Sequence, residues 1–151
     1  MNVGHLCHRE VVTIDAGESL TQAARLMRQR HVGMLVVVES SSSSTDLKVV
    51  GVLTDRDIVT SVIAKEADAR SFRVGDVMTR RPLLASESGA IDATLRHMRE
   101  VGVRRVPVVG GRNELVGVLA LSDVLDTMAA LLGDVAGAIR NEQRSERASR
   151  P

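Results

Sequence analysis

Apolar and polar positions along the chain follow one order twice. Residues 11–14 (Val-Val-Thr-Ile) form a short apolar run that predicts a strand. Over residues 19–30 the apolar positions Leu20, Ala23, Ala24 and Met27 recur at the helical period with arginines opposite, which predicts an amphipathic helix. Residues 34–38 and 49–53 are nearly continuous Val-rich runs, the pattern of buried strands. A helix follows from Asp55 to about residue 65. The same β-α-β-β-α order then returns over residues 83–85, 90–101, 106–109, 115–119 and 122–132.

The two passages are copies of one another. Shifted by 71 positions, Val3-Gly4-His5-Leu6-Cys7 lies on Val74-Gly75-Asp76-Val77-Met78, and Arg25-Leu26-Met27-Arg28 lies on Arg96-His97-Met98-Arg99. With the shift reduced to 66, Val50-Gly51-Val52-Leu53-Thr54-Asp55-Arg56-Asp57 lies on Val116-Gly117-Val118-Leu119-Ala120-Leu121-Ser122-Asp123. The difference falls between the last two strands, where residues 40–46, mostly serine, predict a solvated, mobile hairpin loop. The second copy closes that connection with Gly110-Gly111-Arg112-Asn113. A copy of roughly 60 residues buries little apolar surface alone, so two copies packed together are the economical route to a core. The chain therefore reads as α+β: tandem pseudo-twofold β-α-β-β-α repeats, residues 1–65 and 74–133, packed sheet to sheet with a cleft along the symmetry axis. Residues 66–73 read as a linker and residues 134–151 as a solvated tail. Within that tail, residues 140–151 alternate Arg, Glu, Ser and Asn without an apolar stripe, which predicts a solvated or disordered end.

A hydrophobic content of 44% supports a globular core and excludes disorder for most of the chain. Twenty basic residues against 19 acidic ones leave a net charge of +1, so no footprint for nucleic acid or an anionic membrane is expected and any anion site must be local. With no Trp, no Tyr and only Phe72, the stacking platform of single-strand binders is absent, and a nucleobase would lie among aliphatic side chains. The single cysteine allows no intramolecular disulfide, and without a signal-peptide pattern or an apolar run of about 18 residues neither secretion nor a membrane span is expected. A cytoplasmic location is expected.

Two constellations carry chemistry. In Gly51-Val52-Leu53-Thr54-Asp55-Arg56-Asp57-Ile58 a buried strand runs into a helix at a Thr, with an Asp three residues further on. That spacing is a capping box, and taken alone it needs no ligand. In the second copy Ala120 replaces the Thr while Asp123 stays, so the box is broken and the acid retained, although Ser122 offers a local cap. An Asp at a helix N-terminus facing a cleft is placed to accept two hydrogen bonds from a ribose diol, and the neighbouring N–H groups favour phosphate. The other constellation is Val103-Arg104-Arg105-Val106-Pro107-Val108-Val109, with two arginines at the mouth of a strand whose counterpart, Val32-Gly33-Met34-Leu35, is uncharged. Both arginines read equally well as solvated surface charges. Strand alternation sends only one of them toward the cleft, and Arg105 is expected inward with Arg104 outward.

These segments resemble the CBS-domain family, named after cystathionine β-synthase. Gly51-Val52-Leu53-Thr54-x-x-Asp57-Ile58 matches its strand-to-helix nucleotide signature in full, and Gly117-Val118-Leu119-Ala120-x-x-Asp123-Val124 matches without the Thr. Arg104-Arg105-Val106-Pro107-Val108 resembles the basic-x-Pro-Val segment of its second strand, and Val74-Gly75-Asp76-Val77-Met78-Thr79 is similar to the segment that opens a repeat. The resemblance covers residues 3–132. It implies a pseudo-symmetric disc of two repeats, homodimers of such discs, and adenosine compounds (AMP, ADP, ATP or S-adenosylmethionine) in the two clefts. It further implies ribose contacts from Asp57 and Asp123, a hydroxyl contact from Thr54, and phosphate contacts from Arg105 and Arg56. The base would lie against Thr13, Met34 and Leu35, with Pro107 of the second-strand segment also among the binding residues. Ala120 and Gly33-Met34 depart from the family pattern, so one competent site is expected rather than two equal ones.

The remaining reactive residues read as bland. Cys7 aligns with Met78 and reads as a small buried hydrophobe. His5, His8, His31 and His97 lie on separate elements without metal-ligand or general-base pairing, so no metal site and no catalytic residue is expected. Val124, Leu125, Met128, Leu131, Leu132 and Val135 stripe the last helix, for core packing or for a dimer surface. The expected function is a regulatory adenine-nucleotide sensor, as in energy sensing, that acts through ligand-dependent conformation or partner binding. The alternative is a structural dimerisation scaffold without a physiological ligand.

Overall fold

The computed structural model describes residues 1–40 and 46–150, so most of the expected hairpin loop, residues 41–45, lies outside the described residues. The chain divides into two units, residues 1–119 and 120–151. In the first unit, β1 (Thr13–Asp15) leads into α1 (Leu20–Arg30) and then β2 (Met34–Ser40), which runs parallel to β1 and antiparallel to β3 (Leu47–Thr54). Ser19 fixes the start of α1 by accepting the Gln22 N–H at 3.1 Å, and His31 ends it in the left-handed region at φ 54°. The buried face of α1, Leu20, Ala23 and Met27, shares one core with Ile14, Leu35, Val37 and Leu53 of the sheet. β3 leads into α2 (Asp55–Ile58), a single turn that widens into a π-helical turn over Val59–Ile63, closed by Ala64 N–H to Val59 C=O at 2.8 Å. The expected helix to residue 65 is therefore shorter and locally wider, and the widened turn carries Val62, fully buried in the same core.

The second repeat contains α3 (Val74–Val77), β4 (Thr79–Arg80), β5 (Ala85–Ser86), α4 (Ile91–Val101), β6 (Arg105–Val109) and β7 (Leu115–Ala120). β5, β6 and β7 form a three-stranded sheet, with Ala85, Val106, Val108 and Leu119 buried. α4 ends at Gly102 with φ 77°, the position that aligns with His31. The fold is α+β, built from tandem β-α-β-β-α repeats as expected.

Each repeat's opening segment packs on the sheet of the other. β4, from the second repeat, is the fourth strand of the first sheet, pairing Arg80 with Gly51 and Thr79 with Val52. The N–H groups of Val74 and Gly75 donate to the carbonyls of Glu18 and Ala16, both at 2.9 Å, and Val74 completes the first core. In mirror fashion, Val3 and Gly4 donate to the carbonyls of Gly89 and Glu87 at 3.0 and 2.9 Å, and His8 and Val118 exchange two backbone bonds of 2.9 Å. The first repeat thus does not close on itself within residues 1–65. Residues 66–73 are more than a spacer, since Ala69–Ser71 form a 3₁₀ turn and the Phe72 carbonyl accepts the Leu20 N–H at 3.1 Å. Cys7, expected buried, is only half-buried because it lies on this crossing segment beside Gly117.

The second unit is α5 (Leu121–Ser149), 29 residues long. It runs through most of the segment expected to be a solvated or disordered end. Residues 138–149 are indeed exposed, but they are helical. No proline interrupts them, and Ala, Arg, Glu and Gln are strong helix formers even without an apolar stripe. Val124 is buried, which separates it from the exposed remainder of the stripe. Among the described residues no helix is long and apolar enough to cross a membrane.

The crossing segments approach the sheets at glycines. A Cβ on Gly51 would lie 2.6 Å from Met78 Sδ and 2.9 Å from the Thr79 carbonyl oxygen, and one on Gly117 would lie 2.6 Å from the His8 carbonyl oxygen. Gly51→Ala is expected to lower stability by about 1–3 kcal/mol, seen as a lower urea midpoint, because the clash is partly with backbone. Gly111→Ala, whose added Cβ meets nothing within 4 Å, is expected to stay within about 0.5 kcal/mol of the parent.

Candidate functional site

Strand register decides which of the expected residues share a surface. Thr13 pairs with Val36, and Met34 pairs with Thr54. Because laterally paired residues and every second residue along a strand point the same way, Thr13, Met34 and Thr54 lie on one face of the first sheet. All three are half-buried. Leu35 points to the opposite face and is fully buried with Leu53 and Ile14 in the core. It is therefore withdrawn from the site: adjacent strand residues cannot both face one ligand.

At the end of this face Thr54 and Asp57 form a complete capping box. Thr54 Oγ1 accepts the Asp57 N–H at 3.1 Å, and Asp57 Oδ2 accepts the Thr54 N–H at 2.9 Å. The ligand-free account of this motif is therefore realised, yet capacity remains. The Thr54 hydroxyl keeps its proton to donate, and Asp57 Oδ1 has no hydrogen bond among the described residues. The Arg56 side chain is exposed and makes no ion pair among the described residues.

Asp55, an unspecified position of the strand-to-helix motif, stands beside this group. Its N–H donates to the Gly33 carbonyl at 3.0 Å, and a Cβ on Gly33 would lie 3.0 Å from its Oδ2. A signal was available in the repeat alignment, which places Gly33 opposite Arg104 and Asp55 opposite Leu121. By these alignments the first repeat carries Asp55 and Asp57 against Arg56, whereas the second carries Arg104 and Arg105 against Asp123. The positive position belongs to the second repeat.

Arg105 opens β6, and alternation puts it on the same face as Pro107, opposite the face of Val106 and Val108. It occupies the place that Met34 holds in the first repeat. Arg104 precedes the strand, both arginines are exposed, and Pro107 is buried. No hydrogen bond or ion pair joins Arg105 to the Thr13, Met34 and Thr54 group among the described residues. In the second unit, Asp123 Oδ2 accepts the Ala120 N–H at 3.2 Å, which is half of the capping box and all that an alanine permits.

A cleft of about 510 Å³ lies elsewhere, between Asn2, Gly4, His5 and Arg9 of the opening segment and residues 86–88 and 110–111. Arg9 donates to Glu87 Oε1 at 2.7 Å there, and this hydrogen bond raises the Arg9 pKa above its ordinary value. None of the expected site residues lines this cleft. Among the described residues no three His, Cys, Asp or Glu side chains are grouped so as to hold a metal ion.

Paired repeats, each with a strand-to-helix acid at the same place, match one family. The CBS domain profile covers residues 3–64 and 74–130, and the chain belongs to that family. CBS domain pairs are regulatory modules. The CBS domain-containing protein YhcV of Bacillus subtilis is 33% identical over 115 residues, 76% of this chain and 76% of that protein. Hypoxic response protein 1 of Mycobacterium tuberculosis is 32% identical over 124 residues, 82% of this chain and 78% of that protein. A CBS domain pair solved with 5′-methylthioadenosine and S-adenosyl-L-methionine shares the fold at a TM-score of 0.72, with 22% identity over 86% of this chain and 97% of that one. The chain spans 66% of the length of a longer, uncharacterised relative from Methanopyrus kandleri.

The asymmetry of the two caps has a measurable consequence. Thr54→Ala is expected to cost about 1 kcal/mol of stability by opening the complete box. Ala120→Ser, which supplies the missing hydroxyl, is expected to add about 0.5–1 kcal/mol. Thermal unfolding of the two variants beside the parent checks both signs.

Proposed function

We propose that the chain is a regulatory sensor of an adenosine compound of the AMP, ADP or ATP type, with S-adenosylmethionine the nearest alternative ligand. The observation that carries this reading is the half-buried face of Thr13, Met34 and Thr54, which ends at a carboxylate oxygen of Asp57 that the capping box leaves unused. An aliphatic and hydroxyl-bearing face suits an adenine in a chain without Trp or Tyr, and the open oxygen suits a ribose diol. The 5′-methylthioadenosine and S-adenosyl-L-methionine held by a protein of the same fold support an adenosine moiety. Arg105, with Arg56, supplies the phosphate contact, and Asp123 serves the second repeat's weaker site.

The module acts without a catalytic step. Ligand binding biases a conformation or a partner surface by its differential affinity for two states, and the module works as a homodimer. The exposed apolar residues of α5 favour a second reading, a dimerisation scaffold without ligand.

Calorimetry with AMP and adenosine separates the two. Asp57→Ala is expected to weaken AMP binding by about thirtyfold, the loss of a charged acceptor worth about 2 kcal/mol, and to do so more than Asp123→Ala. Equal effects from the two would remove the assignment of the stronger site to the first repeat. AMP is expected to bind roughly ten- to a hundredfold more tightly than adenosine. Arg105→Ala is expected to erase that preference, and Arg104→Ala to leave it intact. A parent protein that binds neither compound below millimolar concentration leaves the scaffold as the better account.

A further inference from the structure

Most of the stripe on α5 faces solvent. Leu125 is 66% exposed, Met128 55%, Leu132 68%, Val135 57% and Ile139 51%, whereas Val124, one residue out of phase, is buried. Together with Leu121 these five stand at successive spacings of 4, 3, 4, 3 and 4 residues, the alternation of a coiled-coil seam. The seam continues beyond residue 130, where the family match ends. Its next two positions after Ile139 are Glu142 and Glu146. Propensity alone does not hold such a helix in water. Gly133 and Gly137 interrupt it, each costing about 1 kcal/mol relative to Ala. Most helix stability in proteins comes from packing an apolar face.

We propose that this seam is covered by α5 of a second copy, lying antiparallel about a twofold axis near Ala130. The inference rests on the homodimer part of the reading above and says which surface makes the dimer. The spacing selects a second copy, because it reads the same from both ends. Antiparallel pairing about residue 130 sets Leu121 against the partner's Ile139, Leu125 against the partner's Val135, and Met128 against the partner's Leu132. Every seam position then meets an apolar one, which is the self-complementarity a twofold interface requires.

Charge selects the direction. In a parallel pair Glu142 would face its own copy within the seam, as would Glu146, and like charges would be buried together. Antiparallel pairing leaves residues 140–149 beyond the overlap. Two such stripes, each of five side chains more than half exposed and the half-buried Leu121, together cover on the order of 1,000 Å², the lower bound for a specific interface.

Light scattering on the full chain at tens of micromolar is expected to give twice the 16.2 kDa chain mass. Leu132→Glu combined with Val135→Glu is expected to reduce it to a single chain that still unfolds cooperatively on heating, because neither residue belongs to the core of the first unit. A dimer that survives this double change overturns the α5 seam while leaving the homodimer in place through another face. A monomeric parent overturns both. Direction is read by oxidation in a Cys7→Ser background, which needs no disruptive charge. Chains carrying Leu125→Cys mixed with chains carrying Val135→Cys are expected to cross-link to each other, and neither to itself. Self-cross-linking of each variant alone would mean a parallel pair and would sink the proposed axis.

Discussion

The first unit depends on a close backbone approach made twice, at Gly51 and at Gly117. At each glycine the opening segment of one repeat lies against the sheet of the other, with a carbonyl oxygen and a sulfur-bearing side chain in the space a Cβ would need. The hydrogen bonds around the two crossings correspond one to one: Val74 and Gly75 onto Glu18 and Ala16, Val3 and Gly4 onto Gly89 and Glu87. Neither repeat is therefore a complete folding unit. Without β4, the first sheet would present the edge of β3 to water, and without Val74 its core would lose a fully buried side chain. Exchange is a direct answer to the small size of each copy, because it adds apolar burial across the duplication that no 60-residue copy could supply alone.

Elements set by local pattern were legible in the sequence. α1 and α4 have a helical period, and Ser19 caps the first, so both fall within a residue or so of expectation. The strands β2, β3, β6 and β7 follow from their Val-rich runs. The exchange was not legible, for a physical reason: self-similarity tells which pieces correspond, not which copy each piece packs against. Val3 and Val74 align equally well whether each stays with its own repeat or crosses. The reach of α5 was hidden differently, because residues 140–149 carry helix formers without the apolar period that announces a helix. Leu35 is the instructive case at the site. Alternation already forbade Met34 and Leu35 from facing the same ligand, and the same argument that separated Arg104 from Arg105 applied to them.

The capping box and a ribose site are not rival accounts of Thr54 and Asp57. The box occupies one carboxylate oxygen and one lone pair of the hydroxyl, and it fixes the rotamers of both side chains. A carboxylate already held in place loses less rotamer freedom on accepting a diol, so the cap lowers the entropic cost of binding. Asp123 accepts the Ala120 N–H at 3.2 Å, but an alanine offers no hydroxyl to complete the box. The two repeats thus present the same acid but differ in the hydroxyl half of the cap, which Thr54 supplies and Ala120 does not. The basic residues run the other way, with Arg104 and Arg105 in the repeat that has the poorer cap.

This division of labour bears on how a bound ligand could be felt elsewhere. The face that carries Thr13, Met34 and Thr54 also carries Val52, and Val52 is paired with Thr79 of the crossing strand β4. On the proposed reading, a ligand on that face would act on the strand that holds the second repeat's opening segment, beside Gly51, where there is no slack for an added methyl group. Close-packed contacts of this kind shift between discrete arrangements more readily than they deform by degrees. On the proposed reading, the ligand's differential affinity for two settings of the exchange is the quantity that regulates, and a dimer would transmit it to a second copy. The same glycine contacts that let the two copies fold as one would then be the contacts through which one repeat reports on its ligand to the other.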